Sequence, residues 1–458
     1  MGDRSDRGAA LSEAIKRRLG GGLLLALWTV GAGAASVRVA AAIKDLAVAH
    51  RFGTGDALEA FLLAFALPVF VAGSFRSAFF SAFVPRFLEA EARGGASGAR
   101  EALRRAMAIY LVLLTTLAVL LALGAGPAVA LIARGFDPVK REQTRGFVVL
   151  LAPFVVLDGA AGMFTATLYA RKRNASAALV SAIPPLVTLL AVVFLASTWG
   201  VGVLVLGALV GAAAESIVSG ALVARLGMAV VPAMTRPGPE DLELLRGFGL
   251  LLVGGILMSA NTVVDQAMAS GAGPGSVASL GYGAKIPAAF LGLAGAALGT
   301  VTLPHYANFV ASRRFAEMGA SLRKHAVTLA LAGFGIALAL AVLSRPLITL
   351  LFEHGSFLPA DTARVAAIQA FYAFQIPGYI AGIAAARFLN ALGRDRWILA
   401  VSAVNFLLNV AGNWLFLRWI GVPGIALSTA VVYSVAATLL LLLCRRAIRQ
   451  ESPRTQTP

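Results

Sequence analysis

Residues 45–68 read DLAVAHRFGTGDALEAFLLAFALP, and residues 265–287 read DQAMASGAGPGSVASLGYGAKIP. Both open on an aspartate, as Asp45-Leu-Ala-Val-Ala and Asp265-Gln-Ala-Met-Ala. Both then cross a glycine-rich turn, Gly53-Thr54-Gly55 or Gly273-Pro274-Gly275. Each continues through a short apolar match, Ala57-Leu58 or Ala278-Ser-Leu280, to a proline. Asp45 precedes Pro68 by 23 residues, and Asp265 precedes Pro287 by 22. Each stretch reads as the end of one helix, a tight turn, and a second helix interrupted by a residue that removes a backbone donor and permits a bend. The repetition predicts two similar halves.

Around these stretches the chain is too apolar for water. Of 458 residues, 59% are hydrophobic and 13% are charged, whereas a soluble domain carries about 25% charged residues. About 20 apolar residues cross a bilayer core. Spans of that kind are predicted at 20–50, 57–87, 106–133, 147–170, 176–199, 201–224, 247–268, 279–303, 325–344, 363–388, 398–417 and 423–444. The fold class is therefore an all-α polytopic membrane protein. About twelve helices form two pseudo-symmetric six-helix lobes, 20–225 and 247–444, around a central cavity. Residues 1–19 are a basic tail (Arg4, Arg7, Lys16, Arg17, Arg18), read as uncleaved. Residues 226–246 are a linker and 445–458 a second tail.

The net charge of +17 fits the membrane surface better than nucleic acid, because Lys and Arg collect on cytoplasmic loops. With the N-terminus inside, inner segments hold 27 Lys and Arg and outer segments 8. Both termini are thus expected in the cytoplasm, and the even number of spans per half makes the repeats parallel. Matched proline-interrupted segments point to the cavity, so spans 1, 2, 7 and 8 are expected to line it, with Pro68 and Pro287 as bending points.

Ionisable groups inside a bilayer are costly and mark functional sites. Here they are Arg38, Lys44, Asp45, Glu59, Arg76, Asp158, Glu215, Asp265 and Lys285. All four cations, Arg38, Lys44, Arg76 and Lys285, fall in spans 1, 2 and 8, which suits an anion such as a diphosphate. Arg38 and Asp45 share a helix face, two turns apart. Lys44 reads as a substrate-binding cation and Asp45 and Glu59 as cavity or gating residues, or all three equally as headgroup-level residues or a salt bridge across the turn. Asp265 reads as a gating residue or as the partner of a nearby cation, and Asp158 and Glu215 as packing or ion-coupling groups. Asn405 and Asn409, at i,i+4 in span 11, read as interhelical glue. His305 reads as an interfacial histidine and Cys444 as a small apolar residue. No nucleotide loop, metal motif or nucleophile elbow appears, so no cofactor, metal or enzyme activity is expected.

At these residues the sequence resembles the MurJ/MviN family of lipid II flippases, in the multidrug/oligosaccharidyl-lipid/polysaccharide exporter superfamily. The likeness runs through Ile43-Lys44-Asp45, Arg51-Phe52-Gly53-Thr54-Gly55, Glu59-Ala60-Phe61 and Ala64-Phe65-Ala66-Leu67-Pro68 to Ala82-Phe83-Val84-Pro85. It resumes at Gly275-Ser276-Val277-Ala278, Tyr282-Gly283-Ala284-Lys285, Gly299-Thr300-Val301-Thr302-Leu303-Pro304 and Leu351-Phe352-Glu353-His354-Gly355-Ser356-Phe357. The resemblance implies a flippase for a polyprenyl-diphosphate-linked sugar in the bacterial inner membrane, working by alternating access. Its cavity cations at positions 38, 44 and 285 would bind the lipid diphosphate. The sequence departs from the family where an Arg-Arg pair is usual: Ala72-Gly73 stands there, with Arg76 one turn on as the candidate replacement. Two family helices that hold the lipid tail have no counterpart among the predicted spans. The rival readings are a cation-coupled multidrug exporter, a polyprenyl-phosphate enzyme and a non-transporting scaffold. The residues do not reveal whether an ion is coupled.

Overall fold

The computed structural model describes residues 36–228, 230–233 and 239–451. The predicted N-terminal tail, the start of the first span, linker residues 229 and 234–238, and the chain beyond 451 lie outside the described residues. Every regular element among the described residues is a helix. In order they are α1 (36–52), α2 (Asp56–Leu123), α3 (Ala125–Ile132), α4 (Pro138–Ala170), α5 (Asn174–Val180), α6 (Ile183–Trp199), α7 (Gly202–Arg225) and α8 (Pro239–Ser270). Then come α9 (Ser276–Ala311), α10 (Phe315–Val342), α11 (Ser344–Phe352), α12 (Pro359–Ala373), α13 (Gln375–Ala391), α14 (Asp395–Ile420) and α15 (Pro423–Glu451).

The apolar runs become helices because a bilayer leaves the backbone no partners but its own. Among the described residues, eight stretches are long and apolar enough to cross a membrane. One is α2, whose 68 residues exceed any single crossing at about 1.5 Å per residue. Gly95, at φ 58 and ψ −149, breaks it in two, so spans 57–87 and 106–133 stay separate as predicted. The span predicted at 363–388 divides into α12 and α13 around Phe374, three residues before Pro377. The predicted linker is shorter than expected, because α8 already begins at Pro239.

The chain packs as two compact units. The first comprises the described residues up to Ala47, Arg76–Ala118 and Pro153–Phe248. Within it α6 packs along α7. Tyr110 lies against Phe79, ring centroids 4.2 Å apart, and meets Phe248 edge-on. The second unit comprises Val48–Phe75, Val119–Ala152 and the chain from Gly249 onward. In it α13 packs on α9, α10 and α15, around a core holding Tyr306, Leu322, Phe388, Leu440 and Cys444. The Cys444 thiol is buried and free, as its sequence context implied. His305 pairs with the Ser321 hydroxyl at 2.9 Å. The division does not follow the two sequence halves: residues 48–75 and 119–152, from the first half, belong to the unit built by the second.

One reason is an interlock of two glycine turns. Gly53 (φ 55) and Gly355 (φ 62) both use left-handed backbone. A Cβ on Gly53 would strike the Ser356 carbonyl, and one on Gly355 the His50 carbonyl. The Ser356 N–H donates to that same His50 carbonyl at 2.8 Å. The Gly355→Ala variant should lose about 1–2 kcal/mol from the left-handed backbone alone, and more from the collision. Thermal unfolding in detergent should show a midpoint several degrees below that of the parent chain.

Candidate functional site

Three groupings of polar side chains stand out, two in the second unit and one in the first. At the first of them Glu59 lies in the opening turn of α2, just after the Gly53–Gly55 turn. Its side chain is fully buried, 0% exposed. The N–H groups of Gly275 and Val277 donate to its Oε2 and Oε1 at 2.8 and 2.6 Å, and that of Ala278 reaches Oε1 at 3.3 Å. These are the opening amides of α9, which no residue of their own helix can satisfy, and the positive end of its dipole favours an anion. Lys140, at the start of α4 and 7% exposed, completes the clasp with 2.6 Å bonds to Glu59 Oε2 and Asp56 Oδ1. Its ammonium also lies 4.1 Å from the Phe136 ring centre. Asp137, in the preceding loop, accepts the N–H groups of Lys140 and Val139, each at 2.9 Å. The Lys140 amide bond chiefly holds the Asp137 carboxyl below the usual carboxylate range. Beside the clasp, the Thr54 hydroxyl donates to Asp361 at 2.6 Å, and Arg364 donates to the Pro274 carbonyl at 2.8 Å. The turns that the sequence identified as a repeat are thus joined to each other, with Glu59 in a buried salt bridge.

The second grouping surrounds Asp265, near the end of α8 and 8% exposed. The expectation of a cationic partner is corrected. Its Oδ1 accepts two side-chain amides, from Asn413 at 2.6 Å and Asn409 at 3.1 Å. The carboxylate faces a cavity of about 280 Å³ whose other lining includes Asn261, Gln266, Asn405, Thr429 and Tyr433, and none of its lining residues is basic. The carbonyl oxygens of Asn261, Gln266 and Asn405, all of which line it, are buried with no hydrogen-bond partner, as is that of Asn413 behind them. This chamber, within the second unit, is rich in acceptors. Asn413 escaped the sequence reading, although it extends the Asn405–Asn409 row by one more i,i+4 step. Lys140 escaped it too, because in the sequence it is only one of several basic residues on a loop.

The third grouping corrects the role of Arg76. Expected among the anion-binding cations, it is held by two carboxylates of its own unit, Asp158 at 3.1 Å and Glu215 at 3.2 Å. A guanidinium engaged on both sides of its fork has little left for a substrate phosphate. The remaining candidates are spread over both units. Arg38 and the Lys44–Asp45 pair, joined at 2.6 Å, are half-buried on α1. Lys285 is exposed on α9, two residues before Pro287, which lies within the helix. Pro68 is buried within α2.

Residues 48–456 match the family model described as lipid II flippase MurJ. A probable lipid II flippase MurJ of Rhizobium meliloti (strain 1021) is 29% identical over 369 residues, 77% of this chain and 67% of the relative. Another, from Synechocystis sp. (strain ATCC 27184 / PCC 6803 / Kazusa), is 24% identical over 441 residues, 89% of this chain and 78% of the relative. Among solved structures, a lipid II flippase MurJ in an inward-closed conformation superposes with a TM-score of 0.79. It shares 19% identity and covers 92% of this chain and 89% of its own. An inward-facing multidrug resistance transporter of the MATE family reaches 0.74 at 14% identity, covering 92% and 96%. The fold is therefore shared with both of these transporters, while the match from residue 48 to 456 places this chain in the lipid II flippase MurJ family.

Proposed function

We propose that this chain carries a polyprenyl-diphosphate-linked sugar, lipid II or a close relative, across the bacterial inner membrane by alternating access. Both termini lie in the cytoplasm, and the two sequence halves, 20–225 and 247–444, supply the moving parts. The family is one of transporters, and the observation that supports a transport cycle is the Glu59 clasp. It joins the first half to the second through a carboxylate, an ammonium and backbone amides. A polar seal of this kind can exchange its partners for water on opening, so the net cost per hydrogen bond is modest. Arg38, Lys44 and Lys285 hold the diphosphate, with Arg76 excluded by its own ion pairs.

A coupling cation fits at Asp265. A buried carboxylate without a basic neighbour, ringed by unpartnered amide oxygens, offers the hard oxygen donors that a small cation takes. When bound, the cation would supply the charge that Asp265 lacks.

Proteoliposomes loaded with fluorescent lipid II test the reading. Arg38→Ala and Lys285→Ala should each slow translocation roughly 10–100-fold, the worth of a charge-assisted contact of about 1.5–3 kcal/mol. Transport of organic cations with no movement of the lipid would favour the multidrug exporter instead.

A further inference from the structure

The Arg76 cluster lies wholly within the first unit and has no part in the reading above. Four elements supply its ionisable groups: Arg76 from the first segment of α2, Tyr110 from the second, Asp158 from α4 and Glu215 from α7. Hydroxyls of Thr165 and Ser181 join them. Glu215 is 2% exposed and Tyr110 likewise 2%. Among the described residues the cluster holds one guanidinium against two carboxylates, which leaves one uncompensated negative charge inside an apolar bundle. Such a charge is costly enough that the group sheds it by binding a counter-ion or a proton.

A second observation identifies the ligand. The Tyr110 hydroxyl is buried with no hydrogen-bond partner, and it lies within electrostatic reach of both Asp158 and Arg76. A buried hydroxyl without a partner is an unused hydrogen-bonding group, available to an acid that takes up a proton within the cluster. The two carboxylates are also unequal. Glu215 Oε1 accepts Arg76 at 3.2 Å and the Ser181 hydroxyl at 3.0 Å, whereas Asp158 Oδ1 accepts only Arg76, at 3.1 Å. Donated hydrogen bonds favour the ionised form, so Glu215 keeps its charge more readily. We propose that this cluster is a proton site, with a single exchangeable proton held on Asp158. The proton makes the cluster neutral, and its release to water restores the net negative charge. The first unit thereby carries an ion of its own, separate from the chamber at Asp265.

Infrared difference titration of the purified full-length protein tests this, in an Asp265→Asn background so that the buried aspartate of the other unit contributes nothing. One protonated-carboxyl stretch is expected. It should shift when aspartate is isotopically labelled at its side-chain carboxyl, a result that needs no variant within the cluster. Charge counting then fixes the variants. Glu215→Gln removes the surplus charge, so the band should vanish although Asp158 is intact, whereas Arg76→Gln should add a second band. A band that ignores the aspartate label, persists in Glu215→Gln, or is absent while the cluster responds to sodium at fixed pH would overturn the proposal.

Discussion

Glu59→Ala should lose about 3–5 kcal/mol of stability, the range for breaking a buried ion pair from one side. The loss is this large because two kinds of partner are stranded together. Lys140, 7% exposed, keeps only Asp56, and the amides of Gly275 and Val277 lose their acceptor at the start of α9. Glu59→Gln should fall between, since its amide oxygen still accepts a backbone N–H but offers Lys140 no charge. Thermal unfolding in detergent reads the stability, and lipid translocation in the same preparations reads the cycle. Both variants should translocate poorly, because the state closed by the clasp is depopulated. An alanine variant as stable as the parent would mean that the clasp contributes nothing.

Asp265→Asn should abolish any stabilisation by small monovalent cations while leaving the fold intact. The asparagine has nearly the same shape, and Asn409 and Asn413 can still donate to its carbonyl. What disappears is the charge sharing a cavity with the unpartnered amide oxygens of Asn261, Gln266 and Asn405. Ligand binding to the folded state alone adds about 2.7 kcal/mol at a hundredfold excess over Kd. The parent protein should therefore unfold several degrees higher in sodium chloride than in choline chloride at equal ionic strength, and Asp265→Asn should show no difference. Translocation should fall at least tenfold, on the order of 1.4 kcal/mol. Equal salt responses in the two proteins would remove Asp265 from ion coupling.

The helices and the turn repeat were legible in the sequence, because hydropathy and glycine-proline punctuation are local signals. Glu59 and Asp265 were legible as costly charges in apolar surroundings. Their partners were not. Two donors to Glu59 are main-chain amides more than two hundred residues away, and any residue except proline carries such an amide. Lys140 announces itself only once α4 brings it beside Asp56. Arg76 misled for a related reason: a cation in an apolar span looks alike whether it awaits a ligand or answers two carboxylates 82 and 139 residues distant. The compact units, too, follow contacts that the halves of the sequence do not foretell.

Because the α9 side of the Glu59 clasp is main chain, its two faces should drift differently over evolutionary time. At 277 and 278 any residue but proline that fits the buried space supplies the same amide, whereas Glu59 has no such latitude. A genetic screen for suppressors of a damaged Glu59 should therefore return changes at Lys140 or Asp56 and none at the amide donors. The lock would persist in distant homologues whose side chains on the α9 face had been exchanged for others of similar size.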